Sequence, residues 1–140
     1  MSKARGWSTL VESSLVLVEE NPYDRGHVRE WCAGALAKVY TEMGGESLYF
    51  GKPHAPIYDL ARRRLADLGT DIPDCSILAI GDGLVTDIAG AIGENFDSLF
   101  ITGGLAAAET RTAKDPDKDL LIEYLKKEKS CPTFSIGHLR

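Results

Sequence analysis

Cysteine is scarce in this sequence. Its three cysteines, Cys32, Cys75 and Cys131, lie far apart, form no C-x-x-C pair and have no histidine at metal-ligand spacing. A sparse, odd-numbered set of this kind argues against a disulfide framework and predicts reduced thiols in a cytoplasmic protein. Long apolar runs are also missing: Glu12 interrupts the amino-terminal apolar stretch, and no later run approaches the length of a membrane span. Because no A-x-A cleavage pattern follows that stretch, we expect a soluble protein without a signal peptide.

Clustered positive charge is missing as well. The 140-residue chain has a formal net charge of −5, and its densest basic runs lie at 62–64 and 126–127. Both runs fall on predicted helices and are interpreted as solvated faces. A net negative charge without a cluster of basic residues argues against nucleic acid and anionic membranes as partners. No G-x-G-x-x-G follows a predicted strand, so a dinucleotide-binding Rossmann unit is kept only as a third interpretation.

The apolar pattern predicts an α/β core preceded by a segment of different character. A β-favouring run at 15–18 is followed by a polar stretch at 23–30, predicted to be a loop, and by helical spacing over 32–43. From residue 47 onward, strands alternate with helices, which predicts a Rossmann-like, three-layer α/β fold with a parallel sheet. The predicted strands are 47–50, 77–80, 98–102 and 133–136, the second of them covered on both faces, and the predicted helices begin at Pro56, Thr86 and Leu120.

Charged side chains follow two of these strands. Asp82, in Gly81-Asp82-Gly83, comes directly after the apolar strand at 77–80, and Asp87 stands at the start of the next helix. Lys52 follows the predicted strand at 47–50. Carboxyl ends of parallel strands meet at one edge of a sheet, where ligands bind, so these side chains predict a site for a phosphate and a divalent cation. The alternatives are that Asp87 only helps to cap its helix and that Lys52 is a surface lysine in a turn.

The same residues carry a family resemblance. Gly51-Lys52-Pro53, followed by Gly81-Asp82-Gly83-Leu84-Val85-Thr86-Asp87, resembles the third and fourth motifs of haloacid dehalogenase (HAD) superfamily phosphohydrolases. More narrowly, the chain is similar to subfamily IIA, whose large α/β cap is found in p-nitrophenyl phosphatases and in sugar and nucleotide phosphatases. The resemblance covers about residues 15–136. It implies that residues 1–46 are a remnant of the cap with its return to the core, and that residues 47–140 are the second half of the core.

The resemblance also implies roles for individual residues. The implied activity is Mg²⁺-dependent hydrolysis of a small phosphorylated metabolite through an aspartyl-phosphate. Lys52 would be the catalytic lysine that neutralises the phosphoryl group, with Gly83 beside the phosphate. Asp82 and Asp87 would hold the Mg²⁺ ion. Gly103-Gly104 would lie near the rim of the site.

One part of the family pattern is not found in the sequence. The nucleophile motif requires an apolar strand followed by Asp-x-Asp, and Asp115-Pro116-Asp117 follows no predicted strand and is predicted to be a loop. We therefore expect the carboxyl-terminal half of such an enzyme, inactive alone, with exposed apolar sheet edges. The alternative is a non-catalytic pseudophosphatase, or a binding module completed by a partner. That partner would be a chain that supplies the other half of the core, or a second copy in a homo-oligomer.

Overall fold

The computed structural model describes residues 23–25, 28–30, 33–69 and 72–140. The chain divides into two compact units, Met1–Gly51 and Lys52–Arg140. The apolar run at 15–18 lies outside the described residues. The assignment of 1–46 to a cap remnant and 47–140 to a core half stays a prediction.

The first unit contains a short strand pair and one helix. Strand β1 (Tyr23–Arg25) pairs antiparallel with β2 (Val28–Glu30), and Arg25 lies opposite Val28 in the register. The predicted loop at 23–30 is therefore wrong. The sequence signal that could have indicated a turn in this stretch is Gly26, because glycine between two short runs favours a turn.

Helix α1 (Ala33–Glu42) agrees with the predicted helix at 32–43. It ends at Glu42, and Gly44, two residues later, has a φ of +89°, the left-handed conformation that glycine adopts without strain. The predicted strand at 47–50 is wrong, because residues 45–50 form no regular structure. Instead, the Ser47 hydroxyl donates a hydrogen bond to the Ala37 carbonyl oxygen at 3.0 Å, which returns the chain onto α1.

The second unit is built on a parallel sheet. Strand β3 (Leu78–Gly81) pairs with β4 (Asp97–Ile101), and β4 pairs with β5 (Phe134–Ile136), in the order β3-β4-β5. The helices are α2 (Ala55–Asp67), α3 (Ala89–Gly93) and α4 (Lys118–Lys127). A 3-10 turn at Asp74–Ser76 precedes β3, and a π-helical turn at Leu84–Ile88 leads into α3. The predicted Rossmann-like α/β fold with a parallel sheet is confirmed.

The buried core of this unit lies against β4. Phe100 on β4 is fully buried and packs with Leu84, Ile88 and Ala106, while Leu121, Tyr124 and Leu125 pack around them. Burying one large apolar side chain of this kind contributes roughly 1.5–3 kcal/mol. The core therefore fixes β4 and the turn that follows β3.

The other apolar faces of this unit differ from the prediction. Leu78 and Ile80 of β3 are exposed, so this strand is not covered on both faces by the described residues. Helix α2 has no buried residue among those described, and its Ile57 and Leu60 side chains are exposed. None of the helices in the described ranges is long and apolar enough to cross a membrane.

Candidate functional site

Asp82 lies directly after β3 and is held by the loop that follows β4. Its Oδ2 atom accepts a hydrogen bond from the backbone N–H of Leu105 at 3.1 Å. A Cβ atom on Gly104 would overlap the Asp82 carboxyl group, so the loop approaches this closely only with glycine there. Because β3 and β4 are parallel neighbours, both segments lie at the carboxyl edge of the sheet, where ligands bind in α/β proteins.

That loop has internal support from threonine hydroxyls. Thr102 and Thr110 are fully buried, and the Thr112 Oγ1 atom bridges them, donating to Thr102 Oγ1 at 2.9 Å and lying 2.7 Å from Thr110 Oγ1. Thr110 Oγ1 also donates to the Ala106 carbonyl oxygen at 2.7 Å. These bonds satisfy hydroxyls that would be costly to bury without partners, and they fix the segment that carries the Leu105 N–H.

Asp87 lies in the π-helical turn and has a partner for each carboxylate oxygen. Its Oδ2 atom accepts from the Gly83 N–H at 3.0 Å, and its Oδ1 atom accepts from the Lys52 Nζ at 2.6 Å. The Asp87 side chain is 14% exposed and that of Lys52 is 50% exposed. Asp87 therefore holds the start of the turn and also pairs with the lysine.

The start of this turn differs from the prediction. Thr86 was predicted to be the N-cap, but the turn begins at Leu84, with Gly83 in the capping position and no side-chain cap. The N–H groups of Asp87 and Ile88 both donate to the Gly83 carbonyl oxygen, at 2.9 and 3.1 Å. A Cβ atom on Gly83 would overlap the Thr86 hydroxyl. Glycine is thus needed here for close packing.

Three of the four predicted site residues, Asp82, Gly83 and Asp87, occupy one short segment. A Cβ atom on Gly81 would overlap the Asp87 carboxyl group, and Gly83 bonds to it, so the residues on both sides of Asp82 approach Asp87. The structure brings Lys52 to Asp87 directly, while Asp82 bonds to Leu105. The Gly83 N–H is directed at Asp87, and its contact with a phosphate stays a prediction, as do the metal roles of both aspartates.

The donor set at this site consists of carboxylate oxygens. Within the described ranges, no group of three or more His, Cys, Asp or Glu side chains could hold a metal ion. A tetrahedral zinc centre needs such a group, whereas Mg²⁺ is usually held by one or two carboxylates with waters and substrate phosphate completing the shell. The carboxylates of Asp82 and Asp87 are therefore donors of the kind that Mg²⁺ takes, and their binding of the ion stays a prediction.

Sequence reasoning missed Tyr58 as a residue near this site. Burial raises the pKa of the Tyr58 hydroxyl, the negative charge of Asp87 raises it further, and the positive charge of Lys52 lowers it. The Tyr58 hydroxyl therefore lies close enough to Lys52 and Asp87 for both charges to change its pKa. The available signal was its position on the predicted helix directly after Gly51-Lys52-Pro53.

The loop assignment of Asp115-Pro116-Asp117 is confirmed. Asp117 is the N-cap of α4 and accepts hydrogen bonds from the N–H groups of Asp119 and Leu120 at 3.0 and 3.1 Å. Asp115 pairs with Arg140 at 2.8 Å. This segment is structural and follows no strand end.

Comparison with known proteins identifies the family. Residues 49–127, more than half of the chain, match the HAD-hydrolase-like family model. The chain belongs to the HAD-like hydrolase family, and the predicted resemblance is confirmed. No curated protein matches the chain.

Solved structures give the same result. A haloacid dehalogenase-like hydrolase from Brucella suis 1330 is 38% identical with a TM-score of 0.56, and the match covers 81% of this chain and 39% of that one. A mutant of thermostable p-nitrophenylphosphatase from Bacillus stearothermophilus is 25% identical with a TM-score of 0.52, covering 86% and 39%.

The fold is also shared with a more distant protein. A HAD superfamily protein from Cytophaga hutchinsonii, described as a possible sugar phosphatase, is 22% identical with a TM-score of 0.61, covering 84% and 38%. This chain therefore spans about two fifths of the length of the solved structures that it matches.

Proposed function

We propose that this chain carries the lysine and metal-binding part of a HAD-like phosphatase that acts on small phosphomonoesters. The observation that carries the proposal is the Lys52–Asp87 ion pair, at 2.6 Å, in the segment where Asp82 leaves β3. An ammonium group beside carboxylates is suited to hold a phosphate and a divalent cation together, since each charge has an opposite one nearby. Membership of the HAD-like family supports the same activity.

The contacts support the roles that the family resemblance implies. The Lys52 ammonium neutralises phosphoryl oxygens, and Asp87 orients it from one side. Asp82 and Asp87 would hold Mg²⁺, which would supply electrostatic stabilisation of the phosphoryl group. The Leu105 N–H keeps the Asp82 carboxylate at the sheet edge.

We further propose that this chain alone has little or no turnover, because no Asp-x-Asp follows an apolar strand in its sequence and the aspartyl-phosphate route requires that nucleophile. The experiment measures binding and turnover separately. Isothermal calorimetry with inorganic phosphate in the presence of Mg²⁺ is expected to show binding that Asp82→Ala and Lys52→Met each weaken. Hydrolysis of p-nitrophenyl phosphate is expected to stay at the background rate.

The control is Arg140→Gln, which breaks an exposed ion pair with Asp115 that includes none of the proposed site residues and should bind phosphate like the wild type. Phosphate binding that neither Asp82→Ala nor Lys52→Met affects would contradict the proposed site. A Mg²⁺-dependent rate that disappears in Asp82→Ala would contradict the proposed inactivity.

A second candidate function is a non-catalytic module completed by a partner, and the exposed apolar residues of β3 favour it. Leu78 and Ile80 expose apolar surface on an edge strand of the described sheet, and such edges pair readily with other chains. Native mass spectrometry measures the assembly state. A stable monomer at micromolar concentration would count against this candidate.

A further inference from the structure

Arg62, in the middle of α2, bonds to two acidic residues outside its own helix, besides a 3.5 Å contact of its Nη1 atom with Asp59 one turn earlier on α2. Its Nε and Nη2 atoms donate to the two carboxylate oxygens of Asp74 at 3.2 and 3.1 Å, and its Nη1 atom donates to Glu94 Oε2 at 2.6 Å. The guanidinium carbon also lies 4.7 Å from the centre of the Phe96 ring. The bonds to Asp74 and Glu94 raise the pKa of Arg62 above its usual range. The planar guanidinium group binds two carboxylates and lies over an aromatic ring. The single ammonium group of a lysine cannot reproduce this geometry.

Asp74 and Glu94 belong to the chain segment that carries the candidate site. Asp74 begins the 3-10 turn that precedes β3, and Glu94 is the C-cap of α3. Asp82 and Asp87 lie between them in the sequence. Arg62 therefore ties α2 to both ends of the segment from which the two site aspartates project.

Tyr58 extends this contact toward the site. It lies one turn before Arg62 on α2, so the two side chains share a helix face. Its ring meets Phe96 edge to face, with centroids 6.0 Å apart, and a Cβ atom on Gly90 would overlap its hydroxyl. Gly90 lies one turn of helix after Asp87, and Lys52 lies just before α2. Arg62 and Tyr58 therefore lie along one face of α2, and this face extends toward the Lys52–Asp87 pair.

We propose that Arg62 is a positioning residue, which holds α2 against α3 so that the Lys52 ammonium stays on Asp87. For its effect on phosphate this inference rests on the proposed function, but the coupling of Lys52 to Asp87 is independent of any ligand. The competing interpretation is that Arg62 stabilises the fold without affecting the site. The two differ in whether loss of Arg62 weakens the interaction between Lys52 and Asp87.

A double-mutant cycle separates the two interpretations. Urea unfolding of Lys52→Met, Asp87→Asn and the double variant gives the coupling free energy between the two side chains. The same cycle is then repeated in the Arg62→Gln background. We expect the coupling to fall to less than half of its original value. An unchanged coupling, with only a lower overall stability, would overturn the inference.

Phosphate binding supplies the second measurement. With Mg²⁺ present, Arg62→Gln is expected to weaken inorganic phosphate binding by about tenfold or more, because small displacements of positioning groups have large effects. Arg62→Lys keeps the charge but loses the fork, and should restore only part of the affinity. Arg140→Gln, which removes an unrelated ion pair, should bind like the wild type.

The possible outcomes remain distinguishable. Wild-type affinity in Arg62→Gln would overturn the inference and leave the proposed function standing. A wild-type chain that binds no phosphate would overturn the proposed function, and the coupling cycle would still decide the role of Arg62. If Arg62→Gln does not fold, Glu94→Gln removes one partner of the fork and takes its place in both measurements.

Discussion

Strands β3 and β4 are neighbours in one sheet but have different surroundings. Phe100 of β4 is 0% exposed, whereas Leu78 and Ile80 of β3 are 44% and 49% exposed. Strand β4 has a strand on each side, and β3 is at the edge of the described sheet. Asp82 projects from the end of the less covered strand. The difference indicates that the described residues bury β4 and leave apolar surface exposed on β3, next to the proposed site.

The largest effect that tests this comparison is expected in the core. Phe100→Ala should lower the free energy of unfolding by about 3–5 kcal/mol, because it removes a fully buried ring and leaves a cavity. Leu78→Ala on the exposed strand is the matched variant and should cost much less. Urea unfolding measures both. Equal costs would show that β3 is covered in solution, and the contrast between the two strands would be lost.

A smaller effect is expected at Gly104, where the loop after β4 meets Asp82. Gly104→Ala places a methyl group where the Asp82 carboxyl lies, and overpacking of this kind typically costs about 1–3 kcal/mol. The variant should also weaken phosphate binding by displacing Asp82. Gly93→Ala, where a Cβ atom would meet nothing within 4 Å, is the control and should be neutral in both measurements. A Gly104→Ala variant that behaves like the control would contradict the Asp82–Leu105 contact.

The smallest effect concerns Tyr58 at alkaline pH and tests how closely α2 is docked. The pKa of Tyr58 is raised by burial and by Asp87, so the folded state keeps this proton at pH values where the unfolded chain releases it. The stabilisation is complete below the unfolded pKa, near the usual tyrosine value of about 10, and is lost as the pH rises through the folded pKa. Urea unfolding between pH 8 and pH 11 should show this loss, and Tyr58→Phe should reduce it.

The neighbours of Tyr58 allow a sharper version of that measurement. Lys52→Met should raise the pKa of Tyr58 further, because Lys52 lowers it, and Asp87→Asn should lower it. Ultraviolet titration of the tyrosinate reads these opposite shifts. Two shifts of the same sign would mean that Tyr58 does not face the ion pair.

The sequence was sufficient to predict the parts of the fold that depend on local pattern. The strands β3, β4 and β5 lie within a residue of their predicted bounds, because each is a short β-favouring run between turn residues. Gly44 and Gly69, with φ of +89° and +76°, follow the ends of α1 and α2, where glycine is a common helix terminator. The position of Asp82 at a strand end follows directly from the same pattern.

The features that depend on tertiary contacts were not predictable in this way. The residues at 47–50 have a strand-like composition, but a strand also needs a partner, and the described strands provide none there. Thr86 is a good N-cap residue, yet the π-helical turn begins at Leu84 instead. Arg62 looked like part of a solvated basic face, because the partners that give it a role are 12 and 32 residues away.

The carboxylates of Asp82 and Asp87 are held by hydrogen bonds from different groups, and this affects how each should respond to a ligand. Asp82 is held by the loop after β4, whose threonine hydroxyls are hydrogen-bonded within the loop. Asp87 is held by its own turn and by Lys52. An incoming anion that draws the Lys52 ammonium off Asp87 therefore leaves Asp82 where it is. We therefore expect the Asp82 side of the proposed site to stay in place when an anion binds, and the Lys52–Asp87 side to rearrange.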